Sequence, residues 1–533
     1  MNAYFLGMAI SMLVYIVVGI VVGAKVKNAN DYFVAGRQAP ILLIAGSMIA
    51  SYTSTGLFMG DAAQCYEGVF APITILAVMQ TAGYIIGAVF FGRYLRRMKV
   101  FTIPEYFGKR FASKSLHILA TTVAIITMTV YLLSVMQGIG TLMNEVTGVD
   151  YNVCITIALV VFTFLSVTGG SKGVLITDTL MAALFTIGML IGCLFISKNA
   201  GGWFDTISAL ASNPETTDIL SATGRTDGTL YHDGASNIVF GLVYGIVWMS
   251  VCMVGPWQSS RYLMAKNETV VVKSGFYAAM GVILLEFIVC MSAVFVNRVN
   301  PNLEDSSRVM IWAAMNLMPR VLGIILLTGV LAAGISSATT FLSLIGTSVS
   351  LDIIGKKGKN DKNTIMIGRI AMVMIALVVL LVARYNPPSI FWIMYLGGAI
   401  VASSWMPVIL ASVLWKRLTK EGAFAGMLVG FLGCFALRLY TSVKGISLPV
   451  YLDPSVVGMV LNFGTMVVVS LLTKVSQEEV DARAEMFVVP KSEYSIGRAT
   501  GVILASKRSM LIGGGVVIML LSMWVIPYLC ARI

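Results

Sequence analysis

Ala333-Gly334-Ile335-Ser336-Ser337-Ala338-Thr339-Thr340 is a short polar run inside a long apolar stretch. On a helix, Ala333, Ser336, Ser337 and Thr340 fall on one face, because residues three, four and seven apart stack. Hydrocarbon cannot satisfy closely spaced hydroxyls, so that face must meet protein, water or a cation. With a broken helix opposite, small oxygen donors of this kind make a sodium site.

Working outward, the whole chain shares this apolar setting. Of 533 residues, 58% are hydrophobic and only 12% charged, with a mean hydropathy of +0.88. Repeated apolar runs of about 20 residues mean transmembrane helices. The net charge of +12 does not point to nucleic acid, because the basic residues cluster in alternate loops. The clusters are Lys25, Lys27 and Arg37; Arg93 through Lys114; Arg261, Lys266 and Lys273; Lys356, Lys357, Lys359, Lys362 and Arg369; Lys416, Arg417 and Lys420; and Lys474 through Arg508. This positive-inside pattern places those loops in the cytoplasm and both termini outside. The seven Cys show no paired spacing, so neither a disulfide framework nor a zinc site is expected. The first apolar segment, Tyr4 to Val22, has no basic N-terminal region and is too long for a signal-peptide core, so it reads as a retained helix.

About fourteen spans are predicted, near 3–24, 41–65, 70–96, 118–145, 151–168, 174–197, 237–258, 274–299, 321–350, 369–385, 390–413, 422–441, 455–474 and 510–531. The second contains Gly46, Ser47, Ser51, Thr53, Ser54, Thr55, Gly56 and Gly60. Such a density of small and hydroxyl residues fits an unwound helix whose freed carbonyls bind sodium, or close helix packing through small residues. The seventh ends in Gly255-Pro256-Trp257-Gln258, and proline breaks or kinks a span. Breaks in the second and seventh spans fit two five-helix repeats of inverted topology. The expected division is a leading helix and loop (1–40), a first repeat (41–198), an external loop (199–236), a second repeat (237–413) and trailing helices (414–533). The segment from Asn300 to Arg320 is expected outside with a short surface helix, and Lys474 to Lys507 as a cytoplasmic linker.

Several motifs carry a family resemblance. Asp31-Tyr32-Phe33-Val34-Ala35-Gly36-Arg37 follows the first span. Thr102-Ile103-Pro104-Glu105-Tyr106-Phe107 with Lys109-Arg110-Phe111 follows the third. Gly169-Gly170 with Thr177-Asp178-Thr179 marks the sixth, and Pro407 to Gly430 includes Leu414-Trp415-Lys416-Arg417-Leu418-Thr419 and Gly422-Ala423-Phe424-Ala425-Gly426. In this order the chain resembles the sodium:solute symporter family. The resemblance implies an all-α polytopic membrane protein with a LeuT-like five-plus-five inverted repeat and extra helices at each end. It implies a main sodium site at Ala50 and Thr53 (backbone carbonyls), Ala333 (carbonyl), Ser336 and Ser337 (hydroxyls). Neutral donors suit sodium and allow its release. It also implies a further sodium at Asp178 with Ser336, Thr339 and Thr340. An intramembrane carboxylate is by default functional, and the alternative for Asp178 is a helix cap or a pairing with a cytoplasmic Lys.

The substrate pocket is expected between the broken helices, with Ser54, Gln80, Gln137, Trp248, Trp257 and Gln258 as candidates. For Gln80 and Gln137, an amide bonding to a neighbouring helix is the equal alternative. Asp61 and Glu67 either line the entrance or are solvated. The seventh span lacks the sugar branch's polar constellation, and the fourth lacks a mid-span Arg of the sialic acid pattern. A small organic acid, amino acid or vitamin-like solute fits. The expected function is sodium-coupled import of a small solute across the plasma membrane by alternating access. Proton coupling and a transporter-like sensor are the alternatives. An enzyme is not expected: His117 and His232 lie near or outside membrane boundaries, with no catalytic constellation. The expected partners are the substrate and the bilayer, with no nucleic acid and no obligate protein partner.

Overall fold

Apolar runs become helices because a bilayer leaves every backbone polar group to be satisfied within its own segment. The computed structural model describes residues 3–23, 29–226, 233–354, 361–385, 389–497 and 499–533. Lys25, Lys27, His232, Lys356, Lys357 and Lys359 lie outside the described residues. The first helix, α1, is Ala3–Gly23, 21 residues long. Among the described residues, thirteen more helices are long and apolar enough to cross a membrane. They are α2 (Ile41–Tyr66), α3 (Phe70–Met98), α4 (Lys114–Thr147), α5 (Tyr151–Thr168), α6 (Gly170–Ala200), α7 (Gly234–Met264) and α8 (Glu268–Val296). The others are α9 (Arg320–Ile353), α10 (Asn363–Ala383), α11 (Ile390–Leu414), α12 (Lys420–Lys444), α13 (Pro454–Leu472) and α14 (Ser506–Arg532). The order matches the expected spans, and thirteen of the about fourteen are long and apolar enough to cross among the described residues, α1 being a helix outside that set. The correction that matters for the site is at α7, which runs on from 258 to Met264 because the segment after Pro256 is itself helical and buried.

Helices α2, α8 and α9 sit inside the bundle and are mostly buried, whereas α12, α13 and α14 keep most of their surface exposed. Helix α9 packs on α4, α5 and α6, and α2 packs on α6 and α8.

The two short motifs near the start of the chain have a packing origin. Gly170 adopts φ +57°, which turns α5 into α6, and a Cβ there would come within 2.9 Å of the Tyr32 ring. Ser171 Oγ donates to Phe33 O at 2.7 Å. The Asp31–Arg37 segment therefore docks on the Gly169-Gly170 turn. At the same end, Thr102 caps the helix Ile103–Arg110 by accepting from Glu105 N at 3.0 Å, with Pro104 in its first turn. Arg37 Nη2 donates to Lys99 O and Val100 O at 2.8 and 2.9 Å. Burial, then the neighbouring Arg96, pushes the Arg37 guanidinium down to about 10, so it stays cationic at neutral pH.

The loops are more ordered than expected. The segment from 201 to 226 holds a helix at Trp203–Ser212 and docks on α14, with Trp203 Nε1 donating to Met523 O at 3.0 Å and Trp524 Nε1 to Leu220 O at 3.2 Å. The short helix expected between Asn300 and Arg320 forms at Val309–Asn316, but it is largely buried rather than lying on the surface. The stretch after α13 carries a helix at Gln477–Phe487, opened by a reciprocal Ser476–Glu479 cap.

Candidate functional site

Both expected breaks are present. In α2 a regular helix ends at Tyr52, and a wider turn over Gly56–Asp61 leads into Ala62–Tyr66. Thr53 N still bonds Ile49 O, but Ser54 N turns to Tyr52 O at 2.7 Å instead of closing on Ala50 O. The Ala50 carbonyl is thereby released from its helical donor. Thr53 Oγ1 donates back to Ile49 O at 2.9 Å, so the hydroxyl is already engaged with the backbone. In α7 the break is at Gly255 (ψ 134°), with Pro256 starting the second piece.

Glycines let the broken α2 approach its neighbours. A Cβ on Gly138 of α4 would lie 2.5 Å from Thr55 Cβ, and one on Gly334 of α9 would lie 3.2 Å from Thr55 Cγ2. Ala50, Thr53, Ala333, Ser336 and Ser337 are all at most 1% exposed. The polar face of α9 thus meets protein rather than lipid. Ser337 Oγ is buried without a hydrogen-bond partner, as is Thr55 Oγ1.

Asp178 is fully buried on α6 and gathers three helices around it. Its Oδ2 accepts from Ser47 Oγ at 2.5 Å and its Oδ1 from Ser336 Oγ. The sequence reading placed Arg261 among cytoplasmic loop charges. The structure corrects this: Arg261 is 1% exposed and its Nη2 lies 3.1 Å from Asp178 Oδ2. The same guanidinium donates to Ser47 Oγ (3.0 Å), Ser51 Oγ (2.6 Å) and Thr340 Oγ1 (3.1 Å). Asp178 therefore pairs with an arginine inside the bundle, not with a lysine at its edge. Thr339 Oγ1 bonds back to Ser336 O at 2.7 Å.

The candidate substrate residues separate into distinct places. Trp257 and Trp248 of α7 surround Tyr131 of α4, with ring centroids 4.9 and 6.2 Å away. Phe341 of α9 lies 4.9 Å from Tyr131 and 5.2 Å from Trp257, and Ser54 lies beside the Tyr131 phenol. Tyr131 and Phe341 were not singled out in the sequence, where an aromatic in an apolar span has no distinguishing mark. Gln258 is buried with its Oε1 unpartnered. Gln137 lines a cavity of about 370 Å³ at the end of the bundle that carries residues 201–226, together with Gly60, Gln64, Asp305, Arg308 and Phe391. Gln80 takes no part in either place. It bonds Tyr52 Oη and Glu286 of α8, so the helix-to-helix alternative holds for it. Asp61 is buried rather than solvated, and Glu67 accepts from Ser306 Oγ at 2.5 Å. Towards the opposite end, a space of about 20 Å³ is lined by Ser47, Ser171, Ser260, Arg261, Thr340 and Ser343.

Two broken helices crossing a hydroxyl-bearing one is the arrangement of a class of membrane symporters. The structure is similar to that of a Na+-coupled sialic acid symporter in a substrate-bound outward-open state, at 17% identity and a TM-score of 0.73 over 89% of this chain and 99% of that one. It is also similar to Mhp1, a nucleobase-cation-symport-1 family transporter in a closed conformation with bromovinylhydantoin bound, at 12% identity and a TM-score of 0.57 over 86% and 99%. Residues 32–430 match the model of the sodium:solute symporter family, and the chain belongs to that family. It is an integral, multi-pass secondary transporter that imports a small solute with sodium as the coupling ion. Its relatives in family and fold are transporters, not enzymes.

Proposed function

We propose that the coupling sodium is held by the carbonyls of Ala50, Thr53 and Ala333 and the hydroxyls of Ser336 and Ser337. The observation that carries this reading is the buried Ser337 hydroxyl, without a partner, on a helix packed against the released backbone of α2. Five neutral oxygens suit a weakly held monovalent cation. A ligand shifts a conformational equilibrium only by its differential affinity. Sodium bridging α2 and α9 favours the state in which both contribute, and its loss to a low-sodium cytoplasm releases them.

The solute enters from the cavity lined by Gln64 and Gln137 and reaches the Tyr131–Trp248–Trp257–Phe341 cluster beside the α2 break. In this reading the cavity end is extracellular, both termini are outside, the membrane is the plasma membrane, and residues 41–198 and 237–413 are the two inverted repeats. The further set, Asp178, Ser336, Thr339 and Thr340, takes a second sodium only when Arg261 withdraws, because the guanidinium already supplies the positive charge there.

Uptake of a panel of radiolabelled solutes into proteoliposomes, with and without an imposed sodium gradient, tests the reading. Accumulation of one solute only with sodium is expected, and Ser336→Ala is expected to raise the sodium concentration at half-maximal uptake. Unchanged sodium dependence in both Ser336→Ala and Ser337→Ala would remove the site.

A further inference from the structure

Two more buried carboxyl groups flank Tyr52 of α2. Asp61 is in the outer piece of α2 and Glu286 in α8, 3% and 1% exposed. Tyr52 Oη donates to Glu286 Oε2 at 2.6 Å. Gln80 Nε2 donates to the same carboxylate oxygen and lies 2.5 Å from Tyr52 Oη. Asp61 stands next to the Tyr52 phenol and within electrostatic reach of Glu286. The other ionisable groups facing the pair are Cys65 on α2, Cys252 on α7, Cys290 on α8 and Tyr131 on α4. Among the described residues no ion pair reaches either carboxyl.

The cluster is short of donors. Asp61 Oδ1, Glu286 Oε1 and Gln80 Oε1 are all buried without a hydrogen-bond partner. The Gln80 amide already lies against Glu286, so its free oxygen belongs to the same place. Two buried carboxyl groups flanking one phenol, in low dielectric and with no ion pair to either among the described residues, disfavour double ionisation. One added proton removes a charge and turns a carboxyl oxygen into the missing donor. Sodium from the outer cavity reaches the pair less readily than a proton does, because neither acid lines that cavity.

We propose that Asp61 and Glu286 share one proton at neutral pH, and that this proton locks the outer piece of α2 against α3 and α8. The proton comes from solvent and returns to it, and only an O–H bond forms or breaks. Loss of the proton leaves two like charges facing each other across the joint between the α2 half-helix and α8, and loosens that joint.

Infrared spectra of the full-length protein at neutral pH, in H2O and D2O, test the proposal. A protonated-carboxyl C=O band that moves in D2O is expected in the wild type. It should weaken or shift in Glu286→Gln and vanish in Asp61→Asn/Glu286→Gln, where each acid becomes its neutral isostere. No such band in the wild type, a band unchanged in Glu286→Gln, or a band abolished by adding sodium alone would overturn it. Amide exchange over residues 56–66, compared with the double variant at each pH, should rise on the order of tenfold in the wild type as the proton leaves. Equal exchange at every pH overturns the lock.

Discussion

Ser337 has a hydroxyl that the fold buries and leaves without a hydrogen bond. A buried hydroxyl without a partner is costly, so its replacement by Ala should not unfold the protein. Ser337→Ala is expected to raise the sodium concentration for half-maximal uptake about tenfold, equivalent to about 1.4 kcal/mol, with the melting temperature held or raised. Arg261 predicts the opposite pattern. Arg261→Ala strands the fully buried Asp178 carboxylate, and breaking a buried pair costs about 3–5 kcal/mol. Thermal unfolding in detergent should show that loss, and Asp178→Asn/Arg261→Gln, which removes both charges, should recover most of it. A double variant no more stable than Arg261→Ala would show that the pair does not act as a unit.

At the scale of the helices, the breaks matter more than the spans. Apolar length made the spans legible, because a bilayer demands about 20 residues per crossing. The breaks at Thr53 and Gly255 were legible through local chemistry: hydroxyl-rich and small residues in α2, and Gly-Pro in α7. What the sequence hid was three-dimensional. Arg261 read as a loop charge because α7 was taken to stop at Gln258, whereas the piece after Pro256 continues inside the bundle as a buried helix. Glu286 was missed although its signal existed, a lone carboxylate in an apolar run that the rule applied to Asp178 would have caught. The Thr102 motif belongs here too. Its hydroxyl caps the helix Ile103–Arg110 and also donates to Asp352 Oδ1 at 2.8 Å, tying that helix to the end of α9. Thr102→Ala should lower stability by about 1 kcal/mol or somewhat more, measured as the shift in thermal unfolding, while the sodium dependence of uptake stays unchanged.

Across the whole molecule, the space leading toward the broken helices differs between the two ends, even though a separate cavity of about 280 Å³ lies among Arg96, Lys99 and Lys109. About 370 Å³ lies open beside Gln137, against about 20 Å³ beside Ser343. Thiol labelling reads this asymmetry. Six of the native cysteines are buried and Cys530 is exposed, so Cys530→Ser gives a quiet background. In it, Ser307→Cys, part-exposed and lining the same cavity, should react with a membrane-impermeant reagent added outside, and Ser343→Cys should stay protected. Labelling of Ser307→Cys only from the inside would reverse the proposed orientation.

The rings of Tyr131, Trp248, Trp257 and Phe341 belong to three different helices yet touch in one cluster. Indole emission depends on the polarity and packing around the ring. A solute settling there, or the lower piece of α7 tilting away from α4, alters the brightness and colour of Trp257. In the proposed cycle Trp257 thus serves as a built-in optical gauge, readable without dyes and subtractable by Trp257→Phe.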